Sequence, residues 1–249
     1  MIEVKHLNKS FGSHTVLEDI SFRVENGESL VIIGRSGGGK SVLLKHIIGL
    51  LLPDSGDISI DGESLCGMNE RQLLRVRQRF GMVFQGAALF DSLTVDENVG
   101  FALRRQGKLK ETEIRTKVAK ALELVELSGI EQKKPSELSG GMRKRVGLAR
   151  AIVYEPEIIL YDEPTTGLDP VVSDSIDNLM LRVRDKLCVT TVVVTHDMRT
   201  ARRLGQRIIM LHEGKDYAMG TPDEIFGSRD PVVHCFVNGI SAPKADLKL

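Results

Sequence analysis

SLVIIGRSGGGKS, residues 29–41, is the stretch on which the fold turns. An apolar run, Leu30 to Ile33, enters a glycine-rich turn. The turn opens KSVLLKHIIGLL, which reads as a helix closed by Pro53. A strand feeding G-x-x-x-x-G-K-[ST] at the start of a helix is a phosphate loop in its required context. Gly34, Gly37, Gly38 and Gly39 let the backbone N–H groups of the loop, those of Arg35 and Ser36 included, turn inward around phosphate oxygens, where side chains at the glycine positions would obstruct them. Lys40 supplies charge to the outer phosphates and Ser41 Oγ is a ligand for Mg²⁺. Val42 carries the chain into a helix whose N-terminal dipole favours an anion.

Working outward, EIILYDE, residues 157–163, is an apolar strand ending in two carboxylates. Asp162 is placed to hold the Mg²⁺ shell through water, as in phosphate-loop NTPases. Glu163 follows it and can polarise an attacking water, the alternative being a carboxylate that caps the turn at Pro164. Gln85 ends the strand FGMVFQ, where its amide meets metal or water or is an ordinary strand-end amide. His196 ends CVTTVVVTH, at the strand edge where α/β sheets place their ligands.

The rest of the chain fits an α/β core interrupted by helix. IEVKHL, ISFRV and GDISIDG read as strands, with a turn at Asp61-Gly62. From about 91 to 153 the pattern is helical, and Ile114, Val118, Leu122 and Val125 make one apolar stripe. Met142, Val146, Ala149 and Val153 make another. VVSDSIDNLMLRVRDKL is helical, RIIMLHEG reads as the last strand, and residues from about 221 form a C-terminal extension. Near-continuous apolar strands suit a parallel sheet covered on both faces.

The chain has 249 residues, with 34 Lys+Arg against 34 Asp+Glu. A balanced charge gives no reason to expect a nucleic-acid partner. Arg71, Arg75, Arg77 and Arg79 bunch together, as do Arg104, Arg105, Lys108 and Lys110. These read as solvated helix faces or a subunit contact before a membrane patch. Cys66, Cys188 and Cys235 lie too far apart for a zinc or disulfide framework and suggest a reducing cytosol. No signal peptide is legible at MIEVKHLNKSF, and VLLKHIIGLLL is too short and too interrupted to span a membrane. Any membrane role is expected to come through partners.

LSGGMRKR, residues 138–145, poses a separate question, because it opens a second glycine-led helix. Together with the phosphate loop, Gln85, YDEP, TGLD at 166–169 and His196, it resembles the ATP-binding-cassette (ABC) ATPase family over residues 1–220. The resemblance implies a phosphate-loop (RecA-like) core with an antiparallel β-subdomain, about 1–90 and 154–220, and an inserted helical subdomain, about 91–153. It implies ATP and Mg²⁺ as ligands and a head-to-tail dimer with a second copy. In that dimer Ser139, Gly140 and Gly141 meet the γ-phosphate held by the partner's loop. It also places Phe11 where the family stacks adenine, the alternative being a core phenylalanine. Asp169 falls in the loop that couples the two sites, and Met142 departs from the family's usual Gln.

LSGGM, FQGAALFDSLTVDENV and FVNGI are similar to ATPases of MCE-type lipid transporters, the maintenance-of-lipid-asymmetry (Mla) systems among them. That branch implies phospholipid cargo, an integral permease, an MCE-type lipid-binding protein and a small cytoplasmic regulatory subunit. Its place would be peripheral, on the cytoplasmic side of a bacterial inner membrane. Ala87, Ala88, Leu89 and Phe90 lie where such a permease docks, or else they pack internally. A different ABC transporter is the competing reading, and a non-transport ABC protein the more remote one. The apolar tail residues in EIF, VVHCFV and GI are expected to be covered, by the chain's own core or, as similar tails suggest, by the other protomer.

Overall fold

The computed structural model describes residues 1–240. In chain order the strands and helices are β1 (Ile2–Phe11), β2 (His14–Val24), β3 (Ser29–Gly34), α1 (Lys40–Ile47), β4 (Ser55–Ile60), β5 (Glu63–Ser64), α2 (Glu70–Arg77), β6 (Phe80–Val83), α3 (Val95–Gln106) and α4 (Glu111–Leu124). After a 3₁₀ turn at Pro135–Glu137 come α5 (Gly140–Ile152), β7 (Ile158–Asp162), α6 (Pro170–Leu187), β8 (Thr190–Thr195), α7 (Met198–Leu204), β9 (Arg207–His212), β10 (Lys215–Gly220), α8 (Pro222–Phe226) and α9 (Pro231–Val237). The chain forms two compact units. One is Met1–Leu74 with the segment from Val192 onward, and the other is Arg75–Thr191.

In the first unit, β2, β1, β4 and β5 make an antiparallel sheet in that order. Ile2, Val4, Leu7, Leu17, Ile20 and Ile58 turn inward from it and are buried. The β4–β5 hairpin closes through Asp61 and Gly62, both at positive φ (50° and 83°), the twist that matches the flanking strands. Beside this lies a parallel element: β3 pairs with β9 from Leu30↔Arg207 to Gly34↔Leu211. All six residues of β3 are buried.

Two expectations are corrected here. RIIMLHEG is not the last strand, because the chain turns at Glu213 and Gly214 (φ 50° and 79°) and returns as antiparallel β10. The phosphate-loop helix is shorter than the apolar run, since Gly49 at φ 70° ends it, its N–H donating to His46 O at 2.9 Å. A longer helix would require that residue to leave the left-handed region where glycine is at ease.

Three apolar residues of the tail take the first of the two expected covers, the chain's own core. Ile225, Val233 and Val237 are buried within the chain itself. Thr221 and Asp230 cap α8 and α9, and the Tyr217 hydroxyl of β10 donates to Asp230 Oδ2 at 3.1 Å. Ile240 remains exposed, and residues 241–249 lie outside the described part.

In the second unit, β6 and β7 run parallel, with Phe80 opposite Ile158 and Val83 opposite Tyr161. The α4 stripe is as its spacing predicts: Ile114, Val118, Leu122 and Val125 are all buried. Each such side chain contributes about 1.5–3 kcal/mol. Helix α3 starts at a capping box, with Thr94 and Glu97 each accepting from the other's backbone N–H; such caps are worth about 1 kcal/mol. Part of the basic bunching is structural rather than free surface. Arg79 pairs with Glu157, and Arg104 bridges Asp96 and Glu111.

Candidate functional site

The phosphate loop belongs to the first unit. Gly34 ends β3, and Gly39 caps α1 at φ 87°. A Cβ at Gly39 would lie 2.8 Å from the Leu17 side chain and 2.9 Å from Val16 O. Both its conformation and the closeness of β2 therefore demand glycine. Lys40 is 6% exposed. Its ammonium donates to Gly34 O at 2.8 Å and Arg35 O at 3.0 Å, so the charge sits inside the curl of the loop. Gly38 N–H donates to Arg35 O at 3.0 Å and closes the curl. A buried cation ringed by loop backbone fits a polyphosphate.

Phe11, at the end of β1, is 49% exposed, with Lys9 Nζ 5.5 Å from its ring centre. That excludes a core role and leaves an aromatic face open to a ligand. His196 is exposed and follows β8 directly. It precedes Asp197, whose carboxylate caps α7 by accepting from Arg199 N at 2.8 Å.

The remaining site residues belong to the second unit. Gln85 is exposed and lies two residues beyond β6, which ends at Val83, so it sits in a turn rather than in the strand. The turn is held by its main chain. Lys144 donates to Gln85 O, and Arg150 donates to Ala87 O and Ala88 O at 2.7 and 2.6 Å. Asn98, fully buried, donates to Phe90 O and accepts from Phe90 N. Ala87 is buried, while Phe84 and Phe90 are 37% and 46% exposed. The stretch thus packs at one residue and presents aromatics at others.

Asp162 ends β7 and Glu163 follows in the left-handed region, at φ 50°. That conformation costs a non-glycine residue about 1–3 kcal/mol. Glu163 is buried, its carboxylate accepts from Thr166 Oγ1 at 3.0 Å, and its carbonyl accepts from Thr166 N and Lys144 Nζ, each at 3.4 Å. Burial lowers the pKa of Lys144, and the nearby Glu163 charge offsets part of the shift.

Ser139 caps α5, its Oγ accepting from Met142 N at 3.2 Å. Ser139, Gly140 and Gly141 line a groove of about 520 Å³ with Glu126, Arg145 and Asp169. Asp169 caps α6 through Val171 N and Val172 N, both at 3.0 Å. The Arg145 guanidinium is committed to Glu126, Val125 O and Ser175 Oγ. This groove therefore offers a helix N-terminus and two carboxylates, with its cation already paired.

A profile of the ABC transporter family matches residues 17–166. The chain belongs to that family. It is 44% identical over 238 residues to the probable ribonucleotide transport ATP-binding protein mkl of Mycobacterium leprae, covering 96% of this chain and 69% of that one. It is 39% identical to the intermembrane phospholipid transport system ATP-binding protein MlaF of Haemophilus influenzae, covering 97% and 91%. A dimeric ATP-binding cassette solved in a post-hydrolysis state with ADP and phosphate superposes with a TM-score of 0.81 at 33% identity, covering 89% of this chain and 99% of that one.

This ABC ATPase thus has the phosphate-loop NTPase fold, and ATP is its substrate. Magnesium takes one or two protein oxygens and completes its shell with phosphate and water. Ser41 and Asp162 are hard oxygen donors of that kind. Among the described residues no group of three His, Cys, Asp or Glu forms a metal cage of its own. No helix among them is long and apolar enough to cross a membrane. Sequence reasoning missed Lys144, Arg150 and Thr166. The first two sit in a basic stretch that looks solvent-facing until the fold turns them onto loop carbonyls.

Proposed function

We propose that this ABC ATPase drives a phospholipid transporter of MCE type, working as a head-to-tail pair of copies bound peripherally to a permease at the cytoplasmic face of a bacterial inner membrane. An MCE-type lipid-binding protein, and a small cytoplasmic subunit, would complete the assembly. The similarity to MlaF along nearly its whole length supports the cargo. The name of the mycobacterial relative supports a second reading, a ribonucleotide transporter. Phospholipid is favoured because LSGGM, FQGAALFDSLTVDENV and FVNGI resemble the MCE branch. Identifying the permease that co-purifies from detergent-solubilised membranes separates the two.

One observation carries the pairing of copies. The groove at the start of α5 holds Glu126 and Asp169 against a single lining cation, Arg145, which is already engaged. Arg182 beside it is likewise engaged with Glu126, so a free polyphosphate would meet no uncommitted cation there. Ser139, Gly140 and Gly141 suit a phosphate brought in by another copy, its charge already offset by that copy's Lys40. Loss of the γ-phosphate removes the bridge, and the pair opens.

In this reading Gly34 to Val42 bind the phosphates and Phe11 stacks on adenine. Ser41, Gln85 and Asp162 would hold Mg²⁺, which would supply neutralisation of phosphate charge. Glu163 orients the attacking water, His196 contacts the γ-phosphate, and Asp169 couples the two sites. Water adds to the γ-phosphorus as the bond to the bridging oxygen breaks, giving ADP and phosphate. Glu163→Gln keeps shape and hydrogen bonding but removes the base. It should lower steady-state hydrolysis by about 100-fold or more while leaving ATP affinity near that of the parent. Undiminished hydrolysis in that variant would remove Glu163 from this role.

A further inference from the structure

The basic run Arg143-Lys144-Arg145 at the start of α5 divides its tasks. Arg143 donates to Leu138 O, and Arg145 to Val125 O and Glu126. Lys144 alone of the three turns inward and is 8% exposed. Its ammonium donates to two carbonyls from segments far apart in sequence, Gln85 O and, at 3.4 Å, Glu163 O. A buried ammonium is costly to desolvate, so space-filling would be better served by Met or Leu of similar length. What Lys144 adds over such a residue is hydrogen bonding to these two turns.

We infer that Lys144 is a positioning residue for hydrolysis: from helix α5 it fixes the main chains of Glu163 and Gln85, and so the aim of the Glu163 carboxylate. The inference rests on the assignment of Glu163 to the attacking water. Glu163 occupies an unfavourable left-handed conformation at φ 50°. Such a conformation persists only where its surroundings over-determine it. Lys144 and Thr166 N hold the carbonyl, while Thr166 Oγ1 holds the carboxylate. Without the ammonium the peptide can rotate toward an ordinary conformation and swing the carboxylate away from the water. Gln85 O would lose the same anchor, which makes the two turns depend on one side chain. Neither carbonyl belongs to the loop that binds the nucleotide, so affinity for ATP should be spared.

The experiment measures kcat and KM for ATP in the full chain carrying Lys144→Met, Lys144→Arg or Glu163→Gln. Lys144→Met should lower kcat by about 10- to 100-fold, the cost of a small misplacement of a reacting group, with KM within about twofold of the parent. Lys144→Arg, which restores a cationic donor, should recover at least about half of the lost kcat on a logarithmic scale. If Lys144→Met does not fold, Lys144→Gln is read by the same split. The inference is overturned if kcat stays within about twofold of the parent. It is also overturned if kcat and KM worsen together and arginine rescues neither, the mark of a packing role. Parental hydrolysis by Glu163→Gln would instead overturn the role of Glu163 itself. An inactive Glu163→Gln beside a fully active Lys144→Met would sink only the inference about Lys144.

Discussion

The two glycine-led helix starts, at 34–41 and at 138–145, read alike in sequence and are built differently. At the first, β2 presses against Gly39 and a buried ammonium fills the curl. At the second, the helix opens on a groove, Ser139 caps it, and the lining charges are two carboxylates and a paired guanidinium. Lys144, the buried ammonium of the second helix, points to loop carbonyls of its own unit. A glycine turn and a helix dipole are thus joined at the first start by a buried ammonium within the loop, and at the second by no such cation. In the proposed pairing, the second start receives a phosphate already held by another copy.

Replacing a glycine by alanine in each cradle should separate them most sharply. Gly39→Ala forces a Cβ against Val16 O at 2.9 Å and a residue into φ 87°. It should cost about 1–3 kcal/mol of stability and weaken nucleotide binding strongly. Gly140→Ala meets only Leu168, at an ordinary 3.5 Å, at the first position of a helix where alanine is the better former by up to about 1 kcal/mol. Thermal unfolding should show a fall in Tm for the first and none for the second. Equal losses would erase the distinction.

A smaller effect is expected from the helices behind the cradles. His46 on α1 is fully buried, with Nδ1 2.8 Å from Val42 O. Desolvation depresses its pKa below the ordinary 6.5, and Lys9 adds to that, while the Val42 and Leu52 carbonyls and Asp54 oppose it. Between that depressed value and 6.5 the unfolded chain binds more protons than the folded one. Stability is therefore complete above that window and falls as pH drops through it. His46→Gln should flatten this part of the stability–pH curve relative to the parent. An identical curve in both proteins would show that the imidazole contributes nothing.

What was legible in the sequence was local. The phosphate loop announces itself by glycine spacing after an apolar run, and the α4 stripe by a period that survives in the fold. Strand β10 was missed because KDYAMG lacks a strong apolar alternation and leaves Tyr217 and Met219 exposed; the Glu213-Gly214 turn was the available signal. Of the tail's apolar residues expected to be covered, Ile225, Val233 and Val237 find that cover within their own chain, whereas Ile240 is exposed. Lys144 could not have been found at all. A lysine between two arginines resembles a solvated face, and only the tertiary fold brings two distant carbonyls to it.

The most direct test of the central claim is complementation between two inactive variants. Lys40→Ala disables a copy's own phosphate loop. Gly140→Asp puts a carboxylate at the mouth of the groove, and is a cleaner choice than Gly141→Asp, whose Cβ would already meet Val172 Cγ1 at 2.8 Å. With differently tagged copies mixed equally in the assembled transporter, random pairing gives about half mixed dimers, each with one intact composite site if the groove serves its partner. Single-turnover hydrolysis should then return to about a quarter of the parental amplitude, against almost none for either variant alone. No recovery, with mixed dimers demonstrated by their tags, would mean that the second cradle acts within its own chain and would contradict the account.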